Sequence, residues 1–243
     1  STYRISGFKE ANIITTDFSG DGISTLLCHA KDNGKISVLK EFRKPNSLGA
    51  FYAVLTQILG FRRDSDEYKV MGLSSYGKPT MDLSWFLKPK EDGYELNGDY
   101  IRNTIEGLPS GPTVQERSYS DKLLEKLKPR LKDEPITEYH ENLAASCQKL
   151  LEDVAVHLLK YLTSRTNSKN LCIAGGVGLN CVMNQKLIES GLVDNIYVPP
   201  GTSDAGLAIG AALEVAAENG FVFGRLKSPY LGPEYSDAEI KKA

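Results

Sequence analysis

The stretch from Asn170 to Gly220 constrains the fold of this chain more than any other. Residues 170–174 are apolar enough for a buried strand, and Gly175-Gly176-Val177-Gly178 follows as a turn. Residues 179–190 read as a helix that Gly191 stops, and residues 195–198 read as a second strand. A loop over 199–203 then leads into an Ala- and Gly-rich helix over 204–219, ended by Gly220. Strands that alternate with helices at this spacing require an α/β sheet with helices covering it.

The first half supplies more strands. Residues 11–16 read as a short strand, Gly20-Asp21-Gly22 as a turn, and residues 23–30 and 35–42 as a hairpin around Asp32-Asn33-Gly34. Asn-Gly supports the positive backbone angles of such a turn. A helix over 47–59 has Ser47 as its cap, Gly60 as its stop, and apolar residues at helical spacing. Residues 78–118 are rich in Gly, Pro and charge, and predict an exposed insertion of short elements. The clearest helix spans 137–164, with Leu143, Cys147, Leu150, Leu151, Val154, Leu158 and Leu162 on one stripe.

At 243 residues, with 41% hydrophobic and 25% charged residues, the chain can bury a real core. A net charge of -2 offers no basic surface for nucleic acid. No apolar run approaches the length of a membrane span, and no signal peptide opens the chain, so a cytoplasmic protein is expected. Cys28, Cys147, Cys172 and Cys181 form no Cys-x-x-Cys pair and read as four buried, reduced thiols. His29, His140 and His157 show no metal-ligand spacing and read as structural. Ser236 and Glu239 make a capping box for a helix that would start near the last residue, and both ends read as cuts.

Four motifs bear on chemistry. In Gly175-Gly176-Val177-Gly178-Leu179-Asn180 a strand runs into glycines and opens a helix, where unpaired N–H groups suit a nucleotide phosphate. A plain tight turn accounts for the same residues. The spacing matches neither the dinucleotide fingerprint nor a Walker loop. Ser203-Asp204-Ala205-Gly206 puts an acid at a helix start, as a cap or as a metal ligand. The small residues Ala205, Gly206, Ala208, Gly210, Ala211 and Ala212 would let that helix approach its neighbours closely. Asp17-Phe18-Ser19-Gly20-Asp21-Gly22 places an acid after a strand and before a glycine turn, either a phosphate loop or an ordinary hairpin. Glu67 and Lys69, beside the apolar Val70-Met71-Gly72-Leu73, read as a structural ion pair or as substrate contacts.

Five stretches together resemble one family, in order: Ser47-Leu48-Gly49-Ala50-Phe51-Tyr52, Glu67-Tyr68-Lys69-Val70-Met71-Gly72-Leu73, Ala174-Gly175-Gly176-Val177-Gly178-Leu179-Asn180-Cys181, Ser203-Asp204-Ala205-Gly206 and Ser228-Pro229-Tyr230-Leu231-Gly232-Pro233. They resemble O-carbamoyltransferases of the nodulation-protein-U and tobramycin type. The resemblance implies an actin-, Hsp70- and sugar-kinase-like (ASKHA), ribonuclease-H-like lobe: a mixed sheet with helices on both faces. It implies that residues 1–243 are one domain, mainly the second lobe, with a first lobe and an adenylate-forming domain lying elsewhere.

The resemblance further implies carbamoyl-adenylate, made from carbamoyl phosphate and ATP, and a hydroxyl-bearing small-molecule or sugar acceptor. It assigns Asp17 and Asp204 to a metal, iron-type at the adenylate or magnesium with ATP. Gly175, Gly176 and Asn180 match the family's adenosine-binding turn; beside these, Gly20, Val177 and Ser203 are candidate nucleotide contacts and Glu67 and Lys69 candidate catalytic residues. The family's two metal-binding histidines match no position here, Asp21 stands where Glu is usual, and Gly178 where Ala is usual. Without those parts the chain is expected to lack turnover. An uncovered face would allow a homodimer. The other readings are a sugar-kinase-like or Hsp70-like ATPase using the same acids, and a non-catalytic interaction module.

Overall fold

The structure, a computed structural model, describes residues 2–31, 34–102, 117–131 and 133–242. The strands are β1 (Ala11–Gly20), β2 (Ile23–Lys31), β3 (Lys35–Arg43), β4 (Leu87–Lys90), β5 (Gly93–Leu96), β6 (Asn170–Ala174) and β7 (Asn195–Tyr197). The helices are α1 (Leu48–Ile58), α2 (Glu67–Leu73), α3 (Asp121–Leu124), α4 (Glu138–Thr163), α5 (Cys181–Glu189), α6 (Leu207–Glu218) and α7 (Asp237–Lys242). Five strands form one mixed sheet in the order β3-β2-β1-β6-β7. β1 pairs antiparallel with β2 and parallel with β6, with Thr15 opposite Ala174. β7 continues the parallel part, with Cys172 opposite Tyr197.

Side chains alternate between the two faces as strand geometry demands. Ile14, Leu171 and Ile173 enter the main core with α1, α4 and α5, whereas Ile13 and Cys172 point to the other face. That second face is covered by Tyr3, Ile5 and Phe8, and by Leu213 of α6 and Leu226. Arg4 reaches α6 through two hydrogen bonds to the Glu214 carboxylate, at 2.8 and 2.9 Å. Helical structure therefore lies on both faces, thickly on one and thinly on the other.

The long helix is close to the expected one, with Thr137 and Ser164 as its caps. His140 reaches back to the Thr137 N–H, and its imidazole is held below its ordinary value, chiefly by burial. Ser47 caps α1 by accepting from the Ala50 N–H at 3.0 Å. Ser236 and Glu239 form the expected box at α7.

Four expectations need correction. β1 runs to Gly20, with a register shift between Thr16 and Gly20, so Asp17 lies inside an irregular strand end and not after it. The hairpin closes on Asp21 and Gly22, both at positive φ (53° and 78°). Next, the segment from 78 to 118 is no exposed insertion where it is described. Leu83, Phe86, Leu87, Tyr94, Leu96 and Tyr100 belong to the main core, and Tyr94 stacks on Phe42 with centroids 4.6 Å apart. Its glycines and prolines mark turns, but its aromatic residues carry burial that turn chemistry does not report. Residues 103–116, and Asp32 and Asn33 of the expected hairpin turn, lie outside the described residues.

Third, no residue of α6 is buried, and Leu207, Ile209 and Val215 are exposed. Its contact with the rest of the chain runs through Leu213 and through Glu214, which pairs with Arg4, and not through its small residues. Finally, Cys28, Cys147 and Cys172 are buried but Cys181 is exposed. Among the described residues, no helix is long and apolar enough to cross a membrane.

The stripe on α4 can be tested residue by residue. Leu151 is 1% exposed, whereas Leu150 is only partly buried. Leu151→Ala should cost about 3 kcal/mol in denaturant unfolding, and Leu150→Ala under about 1.5 kcal/mol; equal losses would contradict this packing.

Candidate functional site

Because β1 and β6 run parallel, their carboxyl ends share one edge of the sheet, where open α/β sheets bind ligands. Asp17 leaves β1 there, and the Gly175–Gly178 turn leaves β6. The two meet directly. The Gly176 N–H donates to Asp17 Oδ2 at 2.7 Å, and the Phe18 N–H donates to Asp17 Oδ1 at 2.7 Å. The loop after β7 joins them, since the Gly175 N–H donates to the Thr202 carbonyl at 2.7 Å. From the other side, α1 abuts the Asp17 backbone. Its cap Ser47 donates to the Phe18 carbonyl at 2.7 Å. A Cβ on Gly49 would stand 2.5 Å from the Phe18 nitrogen.

The glycines of the turn answer to this packing. Gly175 has φ 92°, and a Cβ there would lie 2.1 Å from the Thr16 carbonyl oxygen. A Cβ on Gly178 would meet Ile173 and Thr202 at 2.9 Å. Their smallness is thus demanded by the protein itself. Gly20 differs: it sits at the exposed end of β1, and a Cβ there would have nothing within 4 Å. Val177 is partly buried against the main core.

Asn180 is buried and ends the turn while starting α5. Its Oδ1 accepts from the Met183 N–H at 2.9 Å. The side chain also pairs with Gln148 of α4, which in turn accepts from the Tyr52 hydroxyl of α1 at 2.8 Å. Burial pushes the Tyr52 phenol far above its usual range, which keeps its proton in place. Sequence reasoning missed Gln148, Tyr52 and Thr202. The available signal was Gln148 itself, a polar residue beside Cys147 on the apolar side of α4.

The remaining candidates stand apart from the clamp. Ser203 precedes a short turn in which its carbonyl accepts from the Gly206 N–H at 3.0 Å. Asp204 is exposed on that turn. Glu67 and Lys69 do not pair with each other. Lys69 binds Asp66 at 2.9 Å and faces solvent, while Glu67 accepts from the Asp64 N–H at 2.7 Å. Two residues apart on a helix, Glu67 and Lys69 point in different directions. Burial raises the Glu67 carboxyl above its usual value.

Among the described residues, no group of three or more His, Cys, Asp or Glu side chains could hold a metal ion. The histidines are engaged elsewhere: His29 with Glu10 at 2.9 Å, His157 with the Lys90 carbonyl at 2.6 Å, and His140 at the α4 cap.

A mixed sheet that brings an acid and a glycine turn to one edge defines a class of α/β domain with a polar site at the strand ends. The particular family follows from comparison with known proteins. Residues 1–213 match the family described as Carbamoyltransferase N-terminus, and the chain belongs to it. It is 38% identical over 247 residues to "Nodulation protein NolNO" of Sinorhizobium fredii, covering 100% of this chain and 34% of that protein. It is 37% identical over 246 residues to "Nodulation protein NolO" of Bradyrhizobium diazoefficiens, covering 98% of this chain and 41% of that protein. "Nodulation protein U" of the same bacterium is 38% identical over 117 residues, covering 47% of this chain and 20% of its own length. The chain thus spans well under half the length of these relatives.

Two outcomes follow from the geometry. Gly175→Ala should destabilise the fold by roughly 1–3 kcal/mol or more, read by thermal unfolding; a neutral result would contradict the contact with Thr16. Burial pushes Cys28 and Cys172 up to about 11, and Cys147 well above its usual value. A thiol reagent at neutral pH should therefore label Cys181 alone in the native protein and all four cysteines after unfolding.

Proposed function

We propose that this chain is the nucleotide-holding lobe of an O-carbamoyltransferase. The whole protein would transfer a carbamoyl group from carbamoyl-adenylate, made from carbamoyl phosphate and ATP, to a hydroxyl of a small-molecule or sugar acceptor. Membership of the family supports carbamoyl transfer in general. The observation that supports this site is the Asp17 carboxylate seated on the Gly176 N–H where two parallel strands end. The strand order, with three antiparallel strands continued by two parallel ones, supports an actin-like (ASKHA) lobe.

In this reading, bound carbamoyl-adenylate supplies the activated carbamoyl group. The chain's own residues position it. Asp17 holds the turn in register through the Gly176 N–H, and Gly20 lies at the exposed end of the same strand. Asn180 closes the turn, and Ser203 follows Thr202, whose carbonyl accepts from the Gly175 N–H. Glu67, its carboxyl raised by burial, is suited to take the proton of the acceptor hydroxyl. Lys69, anchored to Asp66, holds its positive charge on the solvent side of α2. Asp17 and Asp204 are the carboxylates this reading gives to a metal. Among the described residues no group of three or more His, Cys, Asp or Glu side chains gathers at either, so an iron-type centre would need further ligands, whereas magnesium would take its remaining oxygens from phosphate and water. Three buried thiols and one exposed thiol suit a reducing, cytoplasmic setting.

The test uses the whole protein with magnesium-ATP, with and without carbamoyl phosphate, and follows pyrophosphate. Pyrophosphate that needs carbamoyl phosphate is the expected result. Phosphate release indifferent to carbamoyl phosphate would replace this reading with a kinase-like ATPase. Glu67→Gln should lower kcat for carbamoyl transfer on the order of 10²-fold without changing pyrophosphate formation, and unchanged transfer would remove Glu67 from the chemistry.

A further inference from the structure

We propose that Gln148 is a positioning residue for the nucleotide edge: it locks the Asn180 amide in one orientation and thereby sets the path of the Gly175–Asn180 turn. The inference rests on the nucleotide reading above and goes beyond it, since none of the motifs lies on α4.

An obligatory donor fixes the orientation. A backbone N–H can only donate, so the Asn180 atom facing the Met183 N–H at 2.9 Å must be its oxygen. That choice settles every partner behind it. Asn180 Oδ1 also faces Gln148 at 3.0 Å, so the Gln148 atom there must be Nε2. The other edge follows, with Asn180 Nδ2 donating to Gln148 Oε1 at 2.8 Å. The two amides form a closed pair of hydrogen bonds. Gln148 Oε1 then accepts from the Tyr52 hydroxyl at 2.8 Å, and the second Nε2 hydrogen goes to Glu152 at 2.9 Å. Each polar atom of Gln148 has partners that fit only one orientation of its amide.

Burial gives this arrangement its force. Gln148 is 3% exposed and Asn180 is 8% exposed, so water cannot replace a lost partner. The pair lies where the turn passes into α5. The Asn180 N–H closes the turn on the Val177 carbonyl at 3.0 Å, and its carbonyl accepts from the Asn184 N–H, opening α5. Asn184 in turn donates from its side chain to the Gly178 carbonyl at 2.8 Å. Reversing the Asn180 amide would withdraw the cap from α5 and release the turn at the end opposite Asp17.

Three variants test this in the full chain: Gln148→Met, Gln148→Glu and Tyr52→Phe. Folding is followed by circular dichroism, and adenosine affinity by chemical-shift titration of labelled protein between pH 8 and 5.5. Adenosine carries no charge over that range, and the wild type at each pH corrects for Glu67 and Glu152. Gln148→Met keeps the length and removes the hydrogen bonds, and it should weaken adenosine binding about tenfold. Tyr52→Phe, which removes one donor, should weaken it less. Gln148→Glu presents oxygen where Asn180 needs a donor. It should bind poorly at pH 8 and recover as pH falls, because the protonated carboxyl can again donate to Asn180 Oδ1.

Folded Gln148→Met and Gln148→Glu proteins that bind adenosine within twofold of wild type would overturn the inference. So would a Gln148→Glu loss that acid does not reverse, since that traces to packing and not to hydrogen-bond direction. Should Gln148→Glu fail to fold, Gln148→Met and Tyr52→Phe decide by the same criterion. A wild-type chain that does not bind adenosine removes the nucleotide reading, and this inference with it; wild-type binding unaffected by the variants removes this inference alone.

Discussion

The parallel pairing of β1 with β6 is the constraint on which the rest of the structure depends. It sends two strand ends that are 159 positions apart in the chain to the same edge, where the Asp17 carboxylate takes the Gly176 N–H. A carboxylate accepting backbone N–H groups makes a strong, charge-assisted hydrogen bond. The clamp joins the antiparallel half of the sheet to the helix-crossing half. Gly175 can come this close to Thr16 only because it lacks a Cβ and has a positive φ.

Around that clamp, the helical layer acts as a frame. α1 is capped by Ser47, and the same hydroxyl donates to the Phe18 carbonyl, so one side chain fixes both the helix start and the strand end. The β4–β5 hairpin feeds into the same frame. A chain of hydroxyls runs from Tyr94 through Thr25 to Thr16, with steps of 3.0 and 3.1 Å, and ends next to Asp17. Asn46, the residue before the α1 cap, also accepts from the Leu96 N–H at 2.9 Å. The segment that looked like a peripheral insertion is therefore part of what holds the site. Buried hydroxyl chains of this kind resist rearrangement because every member depends on its neighbours.

Much of this was legible in the residues. α4 and its caps, β6, the Gly191 and Gly220 stops and the Ser47 cap follow from periodicity and from local capping chemistry. Asp17 and the glycine turn were each visible as motifs. Their contact was not, because nothing in either motif encodes a partner so far along the chain. Gln148 and Tyr52 were hidden for a related reason, since a buried polar side chain on an apolar stripe acquires meaning only from what lies opposite. Glu67 and Lys69 read either as an ion pair or as substrate contacts, and the pair is not formed, because residues two apart on a helix point in different directions.

The amino-acid sequence by itself determined which segments become strands and helices, where they stop, and which family the motifs belong to. Those properties arise from local backbone preferences and from the spacing of apolar side chains, which operate over a few residues. Only the tertiary structure decided that Asp17 meets Gly176, that Asn180 is held by Gln148, that residues 83–101 enter the core, and that α6 stays uncovered. These depend on strand order and on which faces meet, and so on packing between segments that the chain brings together only when it folds.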